Sequence, residues 1–216
     1  VICEHFARQV RNFENFGQSK SEIYRRDKDM NSARSELVAK DCRKSIVSMT
    51  SKAGASHIAS SLSVIDILSV VYVRSLSSGL GRAEDRDVVV VSKGHASAAT
   101  YAALAHTGYF PIDWLQSFCL DGSNLGGHVN HFGVPGVELS TGSLGHGLSF
   151  AAGRALGNKL SGTHQIVFVV MSDGECNEGS VWEAALFANH HALNNLVVLI
   201  DRNRLQSLKS TEDTLA

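Results

Sequence analysis

The sequence lacks several features that mark particular classes of protein. Its 216 residues carry a formal net charge of -1, so no basic excess predicts nucleic-acid binding. The four cysteines include no C-x-x-C pair, which argues against a zinc knuckle and a disulfide framework and favours reduced thiols. No apolar run reaches the roughly 18 residues of a membrane span, and no signal-peptide pattern opens the chain. We therefore expect a soluble cytoplasmic protein with no nucleic-acid or membrane partner.

Internal repeats and low-complexity tracts are also absent, and the length suits one large α/β domain. Residues 1–30 are polar and weakly patterned, so we expect an N-terminal extension there. The folded domain is then expected over residues 31–216.

Hydrophobic periodicity predicts helices that alternate with short, buried strands. The predicted helices cover residues 31–50, 63–73, 96–106, 144–159 and 179–193, and the predicted strands cover 88–91, 166–171 and 196–200. Ser63 with Asp66, and Ser180 with Glu183, have the spacing of helix-capping residues. This alternation predicts a parallel sheet with right-handed crossovers, flanked by helices.

Residues 121–147 differ from the rest because they hold many glycines and several histidines but little periodicity. Long irregular stretches inside a compact domain are usually functional loops or disordered ones. A functional loop is the hypothesis that the later motifs favour.

Polar residues follow all three predicted strands, where ligands bind in open parallel sheets. Asp173 and Gly174 follow the second strand, Asn203 follows the third, and residues 92–95 follow the first. A carboxylate with an amide oxygen suits Mg²⁺ or Ca²⁺, and a glycine before a helix lets a diphosphate approach the backbone. An Asp-Gly turn that merely caps a helix is the alternative. The pairing with Asn203 favours the metal interpretation.

The sequence Ser172-Asp173-Gly174, followed by Asn203 after one helix and one strand, resembles the thiamine diphosphate (ThDP) binding motif, although Ser172 stands where glycine is usual. The stretches 173–185 and 200–206 look like the transketolase family, and the segments 55–57, 92–97 and 139–147 agree with it in order and spacing. The resemblance covers roughly residues 35–216. It implies a three-layer ThDP-binding α/β fold with a mostly parallel central sheet flanked by helices. Residues 31–216 would form a transketolase-type diphosphate-binding domain, complete or cut short at its C-terminus.

The resemblance also implies a cofactor site containing ThDP and Mg²⁺ or Ca²⁺. The metal would be bound by the side chains of Asp173 and Asn203 and by the backbone carbonyl of Leu205. The cofactor-binding residues would be His95, Gly142, Ser143, Leu144, Asp173, Gly174, Glu175 and Asn203.

Four residues would act in catalysis if the resemblance holds. His57, His95 and His128 would polarise substrate oxygens and move protons. Glu178 would join a carboxylate network with the catalytic glutamate of a partner chain. The alternatives are loop histidines with backbone hydrogen bonds, and an acid that merely favours the positive end of a helix. The roles of His131 and His146 stay open.

The implied activity is a transketolase that transfers a two-carbon ketol unit from a ketose phosphate to an aldose acceptor. The length predicts that a separate chain supplies the pyrimidine-binding domain, in an α₂β₂ assembly. Alternatives are a 1-deoxyxylulose-phosphate synthase, a dehydrogenase E1 subunit, or a non-catalytic subunit with the same fold. The three histidine-bearing loops favour transketolase among the enzymes. A Rossmann nucleotide domain is disfavoured because no G-x-G-x-x-G follows the first strand.

Overall fold

Three parallel strands form the centre of the structure, a computed structural model that describes residues 21–77, 86–207 and 209–215. They are β1 (Val88–Val91), β2 (Val167–Ser172) and β3 (Leu196–Asp201), in the order β1-β2-β3. Val88 pairs with Val167, and Val167 pairs with Leu196. The three predicted strands are confirmed; β2 begins and ends one residue later than predicted, and β3 ends one residue later.

Helices cover both faces of this sheet and complete three layers, as the fold prediction expects. The helices are α1 (Ser21–Ala53), α2 (Ile58–Ser77), α3 (Ser97–His106), α4 (His146–Leu160), α5 (Gly179–His190) and α6 (Thr211–Thr214). A hairpin of β4 (Leu205–Gln206) and β5 (Lys209–Ser210) precedes α6. Short 3₁₀ helices cover Gly94–Ala96, Ile112–Ser117 and Gly174–Asn177.

Alternating strand residues feed two hydrophobic cores, because successive side chains of a strand point to opposite faces. Val89 and Phe168 pack with residues of α1, α2 and α3. Val90 and Val169 pack with residues of α4 and α5. Every residue of β1 and β2 is buried, whereas four residues of β3 are only half-buried and Ile200 is exposed. The expectation of a fully buried third strand is wrong, because β3 pairs on one side only among the described residues.

Two helix starts differ from the sequence-based prediction. Within the described residues, helix α1 covers Ser21–Ala53, so residues 21–30 of the predicted extension are helical, while residues 1–20 lie outside the described part. Helix α2 begins at Ile58, so Ser63 lies within the helix and does not cap it. The Ser63 hydroxyl donates instead to Asp201 Oδ1, and Asp66 pairs with Arg43.

Helix α5 does begin near residue 179, but its predicted capping box does not form. Ser180 Oγ donates to the carbonyl of Gly145 at 2.9 Å rather than to a backbone amide of its own helix. Glu178 occupies the N-cap position without a side-chain capping bond. A tertiary contact has replaced the local one.

Helix α2 is more apolar than the sequence analysis expects. The window Ile58–Ser75 has a mean hydropathy of 1.5, which is enough by length and composition for a membrane span. The expectation that no apolar stretch reaches this length is therefore wrong. Half of this window is buried within the structure, where Ile65 and Leu68 belong to the core. The core helix of a globular domain passes the same test, and the packing of α2 is of this kind.

Candidate functional site

Three histidines from separate loops meet beside the carboxyl end of β1. The ring centroid of His57 lies 5.4 Å from that of His95 and 5.6 Å from that of His128. His57 precedes α2 with a φ of 67°, a left-handed conformation that is uncommon for a residue other than glycine. We call these three residues the histidine cluster. The structure thus brings together the three histidines that the sequence selects.

The backbone around β1 fixes this cluster. A side chain at Gly94 would clash with the carbonyl of Thr141, so only glycine permits this approach. The amide of Val129 donates to Gly94 O at 2.9 Å, and Thr141 Oγ1 donates to Val91 O at 2.6 Å. A Cβ at Gly142 would lie 3.3 Å from the His128 ring. The irregular loop is therefore held against the end of β1 by specific bonds.

His95 differs electrostatically from an ordinary histidine. Burial, the positive charge of Lys93, and the neighbouring His57 and His128 lower the pKa of His95 to about 4, against a smaller opposing effect of Asp201. Its imidazole is therefore neutral near pH 7. A neutral ring offers one nitrogen as donor and one as acceptor.

Asp173 and Asn203 follow the neighbouring strands β2 and β3, whose last residues, Ser172 and Asp201, pair in register. Asp173 Oδ1 accepts the amide of Gly174 at 3.0 Å, and Oδ2 accepts the amide of Arg204 at 2.9 Å. The residue after Asn203 thus touches Asp173 directly. The two predicted metal-binding side chains lie at one edge of the sheet.

The ion pairs of the described residues include none with Asp173. No group of three or more His, Cys, Asp or Glu side chains in that part of the chain could hold a metal alone. A cation here would need amide, carbonyl or phosphate oxygens as further ligands, which are ligands that Mg²⁺ and Ca²⁺ accept. Each oxygen of the half-buried Asp173 accepts one amide and has a second lone pair that can bind such a cation.

Gly174 and Gln206 form the adjoining wall. A Cβ at Gly174 would lie 3.0 Å from Gln206 Cγ, so the hairpin packs directly onto this loop. Gln206 Oε1 is buried and has no hydrogen-bond partner among the described residues. A buried acceptor without a donor is costly, and a ligand that supplies a donor or a cation would satisfy it. These residues fit a bound diphosphate and its metal.

Glu178 lies exposed beside the loop that precedes α4. Gly145 has a φ of 85°, and a Cβ there would lie 2.7 Å from the Glu178 Cβ. Residues 142–144, the predicted cofactor-contacting loop, lead directly into this glycine. His146, the first residue of α4, is exposed, and His131 bonds Ser140 Oγ through Nδ1 at 2.7 Å.

Glu175 is the predicted cofactor-binding residue that the structure places differently. Its side chain is fully buried, and its carboxylate accepts hydrogen bonds from Ser92, Gly145 and Ser172. The prediction that Glu175 contacts the cofactor disagrees with this burial, because a side chain that is fully covered by protein has no surface free for a ligand.

A buried ion pair that the sequence patterns did not predict lies beside these loops. Lys93 Nζ lies 2.6 Å from Asp201 Oδ2, and these side chains are 0% and 7% exposed. Lys93 lies two residues after the valine run of β1, and Asp201 ends β3. Charged residues this close to buried strands are a signal that could have revealed the pair. With Ser92 and Glu175 they form a set that we call the buried strand-end groups.

Comparisons with known proteins identify the family of the chain. Residues 34–216 match the family described as "Transketolase, thiamine diphosphate binding domain". An apulose-4-phosphate transketolase subunit from Actinobacillus succinogenes is 41% identical over 83% of this chain and 66% of that protein. The 6-deoxy-6-sulfo-D-fructose transketolase subunit SqwG of Clostridium sp. is 37% identical over 76% of this chain and 60% of that protein.

Solved structures give the same result. The transketolase from Leishmania mexicana has a TM-score of 0.72 and 30% identity, over 84% of this chain and 29% of that one. The Campylobacter jejuni transketolase has a TM-score of 0.74 and 26% identity, over 83% of this chain and 30% of that one. The chain thus spans just under two thirds of the Actinobacillus relative and less than a third of these larger transketolases. On the matched residues and on the motifs that form its site, the chain belongs to the transketolase family and carries the thiamine diphosphate binding domain.

Proposed function

We propose that the chain is the diphosphate-binding subunit of a transketolase that uses ThDP and Mg²⁺, with Ca²⁺ as the alternative ion. It would transfer a two-carbon ketol unit from a ketose phosphate, or a similar anionic ketose, to an aldose acceptor. The observation that carries this proposal is the convergence of the histidine cluster with Asp173 and Asn203 at one edge of the sheet.

Asp173, Asn203 and the Leu205 carbonyl would hold the metal, and Gly174 would let the diphosphate approach the backbone. Gln206 Oε1, which has no partner among the described residues, and the small Gly174 support this arrangement. When bound, ThDP supplies an acyl-anion equivalent that no protein side chain can provide.

The histidine cluster would act on the sugar. His95 is neutral because its pKa is lowered, so it can both donate to and accept from substrate oxygens. His57 and His128 are exposed and reach the same space from two other loops. Together they would orient the ketose and move protons at its hydroxyl and carbonyl oxygens.

A second chain with the pyrimidine-binding domain would complete the enzyme, in an α₂β₂ assembly. The relatives that are named as single subunits of a transketolase support a divided enzyme. Exposed Glu178 would meet the glutamate of that partner. Trp182 and Leu186 lie one and two turns after Glu178 along α5, and they are 47% and 67% exposed. Large apolar side chains exposed side by side support a surface that the partner chain would cover.

The test is calorimetric titration of ThDP with Mg²⁺ into the chain together with its pyrimidine-domain partner. We expect binding in the mixture, and a loss of at least about a hundredfold in Asp173→Ala, because a metal-binding carboxylate is removed. Asp113→Ala, a change of an exposed aspartate in another 3₁₀ helix, is the matched control and should bind like the wild type.

The same mixture is then assayed with ketose donors that carry phosphate, sulfonate or no anion. Two-carbon transfer to an aldose supports the proposal. Cofactor binding without transfer to any aldose would support the non-catalytic alternative, and no binding in the mixture would contradict the proposal.

A further inference from the structure

Glu175 lies where three motif loops meet. Its side chain is 0% exposed. Oε1 accepts the amide of Gly145 at 2.8 Å and the hydroxyl of Ser92, and Oε2 accepts the amide of Ser172 at 3.4 Å. The carboxylate therefore joins the loops after β1, before α4 and after β2.

Each of these partners offers a proton. The Ser92 oxygen itself accepts the amide of Gly147 at 3.1 Å, so its own proton is directed to Glu175. The other two partners are backbone amides, which only donate. An ionised carboxylate accepts at both oxygens, whereas the amide of glutamine would place a donor against a donor. The surroundings thus favour a carboxylate over its isosteric amide.

The charge is stabilised by the N-terminus of α4. Gly145 is the N-cap residue of this helix and has no side chain with which to cap it. The first amides of a helix have no partner within the helix. Glu175 accepts a hydrogen bond from the amide of Gly145, and Ser92 accepts one from the amide of Gly147. Two residues distant in sequence therefore cap α4 together. Negative charge at this end is favourable.

Gly145 transmits this restraint to the proposed cofactor site. Its carbonyl accepts Ser180 Oγ at 2.9 Å, and its Cα packs against Glu178 so closely that no side chain fits. Residues 142–144 precede it directly. Fixing the Gly145 amide therefore fixes both the predicted cofactor-contacting loop and the position of Glu178.

We propose that Glu175 is a positioning residue of the cofactor site, which holds the loop 142–145 and Glu178 in place through the Gly145 amide. This inference rests on the proposed function. It assigns Glu175 no contact with the cofactor.

Glu175→Gln tests this inference with three measurements. Amide hydrogen exchange at Gly145, followed by NMR in the chain without cofactor, should become about tenfold faster, because the neutral amide oxygen of glutamine accepts a weaker hydrogen bond than a charged carboxylate does. The affinity of the mixture with its partner chain for ThDP and Mg²⁺ should fall by about tenfold. At saturating cofactor, kcat should stay at least about tenfold below wild type, with the ketose KM little changed.

Two further variants sharpen the test. Glu36→Gln changes an exposed glutamate of α1 and should leave all three measurements unchanged. Ser92→Ala keeps the carboxylate but removes the link to Gly147, so it should change all three in the same direction by a smaller factor. If Glu175→Gln does not fold, the three measurements on Ser92→Ala test the inference in its place.

A role in stability alone predicts a lower melting temperature with kcat fully restored at saturating cofactor, and that result would overturn the inference. Unchanged Gly145 exchange would overturn it as well. If Asp173→Ala abolishes cofactor binding while Glu175→Gln binds like the wild type, the proposed function stands and this inference fails. A wild-type mixture that binds no ThDP would sink both.

Discussion

The buried strand-end groups and the histidine cluster lie at the same end of the sheet, but the first are buried and bonded to one another, whereas two of the three histidines are exposed. Lys93 and Asp201 neutralise each other, and Asp201 also accepts the hydroxyl of Ser63. His57 and His128 are exposed, and the ring of His57 lies against the rings of His95 and His128.

This difference separates two tasks. Buried charges are tolerated only when each has its partners, so the buried strand-end groups hold the three loops in register. Exposed rings such as those of His57 and His128 contribute little to folding but remain available to a ligand. Substitutions should therefore divide into those that reduce stability and those that reduce activity.

Lys93→Ala should produce the largest loss of stability. It leaves Asp201 buried without its cation, and breaking a buried pair in this way costs about 3–5 kcal/mol. Denaturant unfolding measures this loss. Lys44→Ala, which removes the exposed pair with Asp41, is the control and should cost less than about 1 kcal/mol. Equal losses in the two variants would contradict the assigned importance of burial.

Gly94→Ala should come next, at about 2–3 kcal/mol, because the new methyl group meets the rigid backbone of Thr141. Gly153→Ala is a matched change inside α4, where nothing lies within 4 Å of the new atom. It should raise stability by about 0.5–1 kcal/mol, since alanine favours a helix. A neutral result at Gly94 would show that the loop 128–142 is not fixed against β1.

Acid should weaken the fold through His95. Its pKa is about 6.5 in the unfolded chain and about 4 when folded, so the unfolded chain binds more protons in this window. The free energy of unfolding is therefore unaffected by this group above about pH 6.5, and it falls as the pH drops towards 4. After allowance for partial exposure, the loss reaches about 2 kcal/mol. Comparing His95→Gln with wild type at pH 7 and pH 4.5 should show a smaller acid loss in the variant.

His128→Ala should have the smallest effect on stability, within about 0.5 kcal/mol, because the ring is exposed. The transketolase rate of the assembled enzyme should nevertheless fall by about 10²- to 10⁴-fold. Unfolding and activity measured on one preparation check both parts. If His128→Ala lowered the free energy of unfolding as much as Lys93→Ala, the distinction between the histidine cluster and the buried strand-end groups would fail.

Much of this architecture could be predicted from the sequence, because β-branched runs and glycine-rich loops carry local signals. The strands around Val88 and Val167 follow from such patterns, as does the position of Asp173 and Asn203 after neighbouring strands. The cap of α4 does not, since its acceptor, Glu175, lies 30 residues from Gly145, and its second member, Ser92, lies 83 residues from Glu175. The capping predictions for Ser63 and Ser180 fail for the same reason, because partners distant in sequence replaced neighbouring amides.

The order of pairing in the sheet also bears on how the chain assembles. Val167 pairs with Leu196, 29 residues away (196 − 167), and with Val88, 79 residues away (167 − 88). Closing the longer loop costs more chain entropy, and non-local pairings slow folding. We expect β2 and β3 to associate early and β1 to dock late. The segment that carries Lys93 and His95 would then reach its place only in the last step, so a half-assembled sheet would have no histidine cluster.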